Sequence, residues 1–192
     1  IFLVTCSQLT QNTTQSGVKY HWNDSWNSTF VNFISCLFQN NKGVNGGAVS
    51  ISASANRMQR NVKSLTENKC NFNQCQFIDN SAQQGGSIYD DGSKQLVLNS
   101  CAFYNSKATS NGGAIYSAVN TRITNCNFSQ SSAPKGSTLY IQHNDNALIS
   151  NITLQFTKVA GQAAIFVTGT NSSNKFVIDG NGCFISTRND ND

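Results

Sequence analysis

A six-residue pattern returns along this chain at a near-constant interval, and no other feature of the sequence narrows the fold as much. An apolar residue is followed three places on by Cys and two places later by Phe: Phe33/Cys36/Phe38, Phe72/Cys75/Phe77, Leu98/Cys101/Phe103 and Ile123/Cys126/Phe128. A fifth copy, Ile149/Ile152/Leu154, has Ile in the Cys place. That exchange fits an apolar interior, where a free thiol behaves as a small hydrophobe. Thirteen or fourteen residues after each Cys position, a block of small residues runs into an aliphatic one. The blocks are Gly46-Gly47-Ala48-Val49, Gly85-Gly86-Ser87-Ile88-Tyr89, Gly112-Gly113-Ala114-Ile115-Tyr116, Gly136-Ser137-Thr138-Leu139-Tyr140 and Ala163-Ala164-Ile165-Phe166. The Cys positions, ending at Ile152, stand 39, 26, 25 and 26 residues apart, with weaker copies at Leu3/Cys6 and Cys183/Ile185.

Self-similarity at such a period marks a solenoid. Each unit is too short and too rich in Gly, Asn and Ser for a helical pair, and its apolar residues alternate in short runs, as in strands. The prediction is an all-β fold, a right-handed parallel β-helix of about six to seven coils of ~25 residues stacked ~4.8 Å apart. A single domain is expected over residues 1–192, with loop excursions at 20–30 and 56–69. Phe38, Phe77, Phe103 and Phe128 should form one internal column and Cys36, Cys75, Cys101 and Cys126 another.

Two polar residues separate the first apolar position from Cys, as in Asn99-Ser100, Thr124-Asn125 and Ser150-Asn151. Strict alternation would send the apolar residue and Cys to opposite faces. A bend is therefore predicted, with Asn or a neighbour in the left-handed region. Asn99, Asn125 and Asn151 are expected to stack there and satisfy neighbouring backbone, with Asn151 buried and Asn125→Ala costing about 1–3 kcal/mol. The Gly-Gly pairs supply positive φ and room for a neighbouring coil.

Charged residues make up only 11% of the chain against 38% apolar, which argues against a charged disordered tail. The formal charge of +4 is modest, its basic residues are scattered except for one cluster, and no nucleic-acid partner is expected. No stretch reaches the ~18 apolar residues of a membrane span. The opening Ile1-Phe2-Leu3-Val4 is shorter than the ~7-residue apolar core of a signal peptide, so the chain reads as processed or excerpted.

Phe38-Gln39-Asn40-Asn41 and Phe77-Ile78-Asp79-Asn80, together with Gly112-Gly113-Ala114-Ile115, resemble a known family. Their likeness is to the Phe-x-x-Asn and Gly-Gly-Ala-Ile repeats of chlamydial polymorphic outer-membrane proteins, within the wider pectin-lyase-like β-helix group. Similar repeats occur in large surface proteins of protists. The resemblance covers roughly residues 30 to 166 and departs at Phe128, where Ser131 stands in the Asn place. It implies a β-helix with a surface or adhesive role, and no autotransporter barrel lies within this chain.

Polysaccharide lyases and glycosidases need converging carboxylates, yet the chain has one Glu, Glu67, and eight Asp. The best acidic pair, Asp90-Asp91, has Ile51/Ser52 and Ser117/Ala118 in register on either side and is expected in a solvated turn. His143 has no second His or Cys at ligand spacing, and Cys70 and Cys75 lack a zinc-knuckle spacing, so no metal site or cofactor is expected. The seven Cys leave at least one thiol unpaired within the chain.

Rigid scaffolds often carry function on loops. One excursion holds Tyr20, Trp22 and Trp26, whose rings suit either sugar stacking or covering the end of the solenoid. The other holds Arg57, Arg60, Lys63 and Lys69, a candidate anion-binding loop or a solvated one. Sequons at Asn12, Asn23, Asn27, Asn127 and Asn171 are candidate N-glycosylation sites, whereas the sequon at Asn151 sits at a bend. The expected function is a non-catalytic extracellular or cell-surface structural or adhesive scaffold, stacking end to end on itself or meeting surface polysaccharide. The alternatives are a carbohydrate-binding module using the Trp loop and, less favoured, a polysaccharide lyase or glycosidase.

Overall fold

The computed structural model describes residues 2–5, 9–10, 18–21, 28–52, 67–142, 147–158, 163–169, 175–179 and 184–188, with side chains over 30–52, 68–142, 147–155, 163–169 and 175–179. These residues form parallel strands and no helix, stacked as a β-solenoid. Sheet 1 holds seven strands: Phe2–Thr5, Ser28–Ile34, Glu67–Asn73, Gln95–Asn99, Asn120–Thr124, Ala147–Ser150 and Phe176–Asp179. Sheet 2 also holds seven: Leu9–Thr10, Leu37–Gln39, Gln76–Ile78, Ala102–Tyr104, Asn127–Ser129, Thr153–Lys158 and Phe184–Arg188. Sheet 3 holds six: Val18–His21, Val49–Ser52, Ile88–Asp90, Ile115–Ser117, Leu139–Gln142 and Ile165–Thr168. Ser81–Gln84 and Lys107–Asn111 pair in a short fourth sheet. Each turn runs sheet 1, sheet 2, corner, sheet 3; turns are named below by the residue at their Cys position.

Register carries the sequence repeat directly into space. Phe38, Phe77, Phe103 and Phe128 stack face to face with centroids 4.7, 4.5 and 4.7 Å apart. Phe33 and Phe72 form a second stack at 4.7 Å, meeting the first edge-on at 5.6 to 6.3 Å. All six rings are buried. Each contributes about 1.5–3 kcal/mol by leaving water, with edge-to-face contacts adding to that.

Both corners beside sheet 2 rest on left-handed residues. Ser35, Gln74, Ser100, Asn125 and Asn151 hold φ of 48 to 56° at the first bend, and Asn40, Asp79, Asn105 and Gln130 hold 50 to 58° at the second. Such a conformation costs a non-glycine residue about 1–2 kcal/mol. The coil-to-coil ladder offsets it by running through the corners: Gln74 N donates to Asn99 O at 3.0 Å and Asp79 N to Tyr104 O at 3.0 Å. The bend is thus the one predicted, but its amides behave differently. Asn125 and Asn151 are exposed. Asn151 Nδ2 donates to Asn125 Oδ1 at 2.5 Å, Asn125 Nδ2 to Asn99 Oδ1 at 3.1 Å and Asn99 Nδ2 to Asn73 Oδ1 at 3.1 Å. The ladder bonds amide to amide rather than to backbone, and it steps diagonally, because Asn99 is in register with Thr124, not Asn125.

The buried amides lie one corner later, at the Asn of Phe-x-x-Asn. Asn41 and Asn80 are fully buried. Asn80 Oδ1 accepts from Asn41 N and Asn41 Nδ2 at 3.0 Å, and Asn80 Nδ2 donates to Phe38 O at 3.0 Å. In the Gly-Gly blocks the first glycine has positive φ, as at Gly85 with +58°. The second is required by proximity: a Cβ on Gly47, Gly86 or Gly113 would lie 2.2, 2.1 or 1.9 Å from a carbonyl oxygen of the next coil.

The excursions are shorter than expected. Residues 18–21 and 28–34 lie on strands, as do 67–69. Tyr20 is therefore on a sheet 3 strand, and Lys69 is on sheet 1, with its Nζ 5.7 Å from the Phe30 ring centroid.

Candidate functional site

Among the described residues one carboxylate is buried, where sheet 3 turns back toward sheet 1. Asp90 ends the strand Ile88–Asp90 and points inward, in register with Ile51 and Ser117. It is fully buried, whereas its neighbour Asp91 is exposed, so the expectation of a solvated acidic turn holds for Asp91 alone. Alternation explains the split, since consecutive strand side chains take opposite faces. Asp90 Oδ1 accepts from Gly92 N at 3.1 Å and Ser93 N at 2.9 Å, and Oδ2 accepts from Ser93 Oγ at 2.5 Å. Burial pushes the Asp90 carboxyl up to about 6, while the three bonds from Ser93 and Gly92 hold it down. Burial, with the nearby Asp90 charge, also drives the Cys70 thiol well up. Tyr89 OH donates to Asp91 Oδ2 at 2.8 Å. The two carboxylates diverge, and Asp90 is consumed in fastening its own turn.

The outer face of sheet 1 carries a concavity of mixed chemistry. A shallow groove of about 360 Å³ is lined by Gln95, Asn120, Arg122, Leu148, Lys175 and Val177, over Thr121 and Ala147. Arg122 and Lys175 are exposed. Amides, aliphatic side chains and cations drawn from four successive strands suit a polar, anionic polymer lying along the rod. Composition alone hides this groove, because its members are far apart in sequence and only the coil register assembles them.

On sheet 3 the outward column reads Tyr89, Tyr116, Tyr140 and Phe166, with centroids 4.8, 5.1 and 5.3 Å apart and planes within 13°. These rings cover one another's faces, so the partly exposed Tyr116, Tyr140 and Phe166 offer solvent their edges rather than a platform for sugar stacking. Tyr116 OH donates to Gln142 Oε1 at 2.9 Å. The aromatic that closes four of the five small-residue blocks announces this ladder in the sequence.

The Cys column is as expected: Cys36, Cys75, Cys101 and Cys126 are buried and outside any disulfide, as is Cys70. Cys75 Sγ donates to Phe33 O at 3.4 Å and Cys101 Sγ to Phe72 O at 3.5 Å. The Cys75 thiol is pushed far up by hydrogen bonding to Cys101 and by burial, and Cys101 to about 12 chiefly by its bond to Cys126. Cys126, the acceptor in that pair, is held below its usual range. Among the described residues no group of three or more His, Cys, Asp or Glu is placed to hold a metal ion.

Of the residues singled out from sequence, Trp22, Trp26, Arg57, Arg60, Lys63 and His143 lie outside the described residues, as do Asn12, Asn23, Asn27 and Asn171. Asn127 opens a sheet 2 strand with its side chain exposed. Asn151, expected to be buried, is exposed because its left-handed bend turns it outward. Comparison of the chain with protein-family models, curated proteins and solved structures finds no match.

Proposed function

We propose that this chain is a non-catalytic rod of the extracellular space or cell surface, a structural or adhesive scaffold of the kind its chlamydial-type repeats suggest. The observation that carries the reading is how the described side chains are used. Phe, Cys and Tyr ladders run in register from coil to coil and the bend asparagines link coil to coil beside them, so groups able to do chemistry are spent on stacking and on bonds between coils. The same order supports growth along the axis by a second copy. Phe176 and Ile178 align with buried Ala147 and Ile149, yet Phe176 is only half-buried and Ile178 is 43% exposed. At the other end Phe2 and Val4 hold the register positions beside buried Val31 and Phe33. A head-to-tail contact would place apolar positions against apolar positions, and heterologous contacts that do not close give filaments. Sedimentation velocity over a concentration series tests it: species should lengthen with concentration, and Ile178→Asp should return them to monomers. A monodisperse monomer at high concentration would remove the filament.

The sheet 1 groove favours a second reading, binding of an acidic polysaccharide. Polygalacturonate should bind more tightly than a neutral glucan, weaken with salt, and lose at least tenfold in affinity in Arg122→Ala. Equal binding of both polymers would eliminate it.

A further inference from the structure

Within the corner after the second bend, two inward columns face each other. Asn41, Asn80, Ser106 and Ser131 share one register, as the pairings of the residues following them show. Ala48, Ser87, Ala114 and Thr138 share the other, each preceding a paired aliphatic residue of sheet 3. In the Cys75 coil the gap between columns is closed directly. Asn80 Nδ2 lies 3.4 Å from Ser87 Oγ, and Ser106 Oγ comes within 2.7 Å of Ser87 Oγ from the next coil.

The Cys126 coil keeps polar residues at both places but shortens one of them. Ser131 stands where Asn80 stands, and Thr138 where Ser87 stands; both are fully buried. Among the described residues neither hydroxyl has a hydrogen-bond partner. A buried hydroxyl left unmade costs roughly 1–3 kcal/mol. Native interiors resolve such pairs with ordered water when the gap is polar and wide enough. A serine oxygen ends about one bond length short of a carboxamide nitrogen, which places Thr138 Oγ1 beyond direct reach but within the span of two water bonds of ~2.8 Å. Ser137, also buried and unpaired, occupies the place of Gly86 and Gly113, whose side-chain direction is along the axis toward the next coil. It belongs to a different gap.

We propose that a single buried water bridges Ser131 Oγ and Thr138 Oγ1 in the Cys126 coil, standing where the Asn80 carboxamide stands in the Cys75 coil. The site is specific to water or a molecule no larger with both donor and acceptor capacity. It is independent of the function proposed above. A high-resolution crystal structure should show a solvent peak within hydrogen-bond distance of both hydroxyls, and the Thr138 methyl should give cross-peaks to slowly exchanging water in NMR spectra. Ser131→Asn should expel that water, bring the new carboxamide onto Thr138 Oγ1, and raise Tm by about 2–4 °C. Ser131→Ala, which keeps the corner's shape, should abolish the water cross-peaks at the Thr138 methyl. Direct bonds from both hydroxyls to backbone carbonyls with no solvent peak between them would overturn the proposal. So would water cross-peaks that persist unchanged in Ser131→Ala.

Discussion

Asp90 has a folded-state value of about 6 against an ordinary 3.8. Between those values the folded chain keeps a proton that the unfolded chain releases, so stability is full at low pH and falls as pH rises through the window. The loss above pH 6 amounts to about 3 kcal/mol. Asp90→Asn retains an oxygen to accept from Gly92 and Ser93 and has no charge to bury. Its urea midpoint should exceed the parent's at pH 7.5 and converge on it near pH 4; parallel pH profiles for the two proteins would contradict this. A second single-residue effect is steric. Gly113→Ala places a Cβ 1.9 Å from Ser137 O, and the coils must separate, at a cost of about 3 kcal/mol or more.

At the scale of the bend, sequence reasoning located the left-handed residues from a parity argument but exchanged the two kinds of amide. Asn125 and Asn80 are both asparagines beside a Cys-x-Phe core, and nothing in composition says which is covered. What separates them is position relative to the turn: Asn125 is itself left-handed and thrown outward, whereas Asn80 follows the left-handed Asp79 and points in. Asn125→Ala should therefore cost less than about 0.5 kcal/mol, because water replaces an exposed amide partner. Asn80→Ala strips the Asn41 amides and Phe38 O of their acceptor and donor, and should cost about 2–4 kcal/mol. Equal denaturation midpoints for the two variants would refute that ordering. Strand identity, register and the Phe and Cys columns were legible because a fixed period leaves few ways to stack. The groove and the burial of Asp90 were not, since the groove draws single residues from four strands far apart in sequence, and Asp90-Asp91 read as a turn rather than as the end of a strand whose alternation turns Asp90 inward.

For the whole molecule, a solenoid's stability is approximately a sum of coil terms and nearest-neighbour interfaces, so it need not be uniform along the axis. The interfaces joining the Cys75, Cys101 and Cys126 coils have stacked Phe rings and thiols, and the first two coils share the fourth sheet. Bridges at Lys107↔Ser132 and Asn111↔Lys135 extend that corner to the Cys126 coil. Among the described residues no such bridge continues to the Ile152 coil. There Ser137 takes the place of the glycine that admits a neighbour, and the Phe column ends in Leu154. Ile165 is only half-buried where Ile115 and Leu139 are fully covered. Of the three interfaces that join the Cys75, Cys101, Cys126 and Ile152 coils, the one between the Cys126 and Ile152 coils is therefore expected to open first. Native-state hydrogen exchange should show amides of Ile88–Asp90 and Ala102–Tyr104 protected to the global unfolding limit, and those of Ile165–Thr168 exchanging through a smaller opening. Restoring the repeat by Ser137→Gly with Leu154→Phe should raise protection in Ile165–Thr168 without changing it in Ala102–Tyr104, and identical protection along the rod before substitution would show that the coils unfold as one unit.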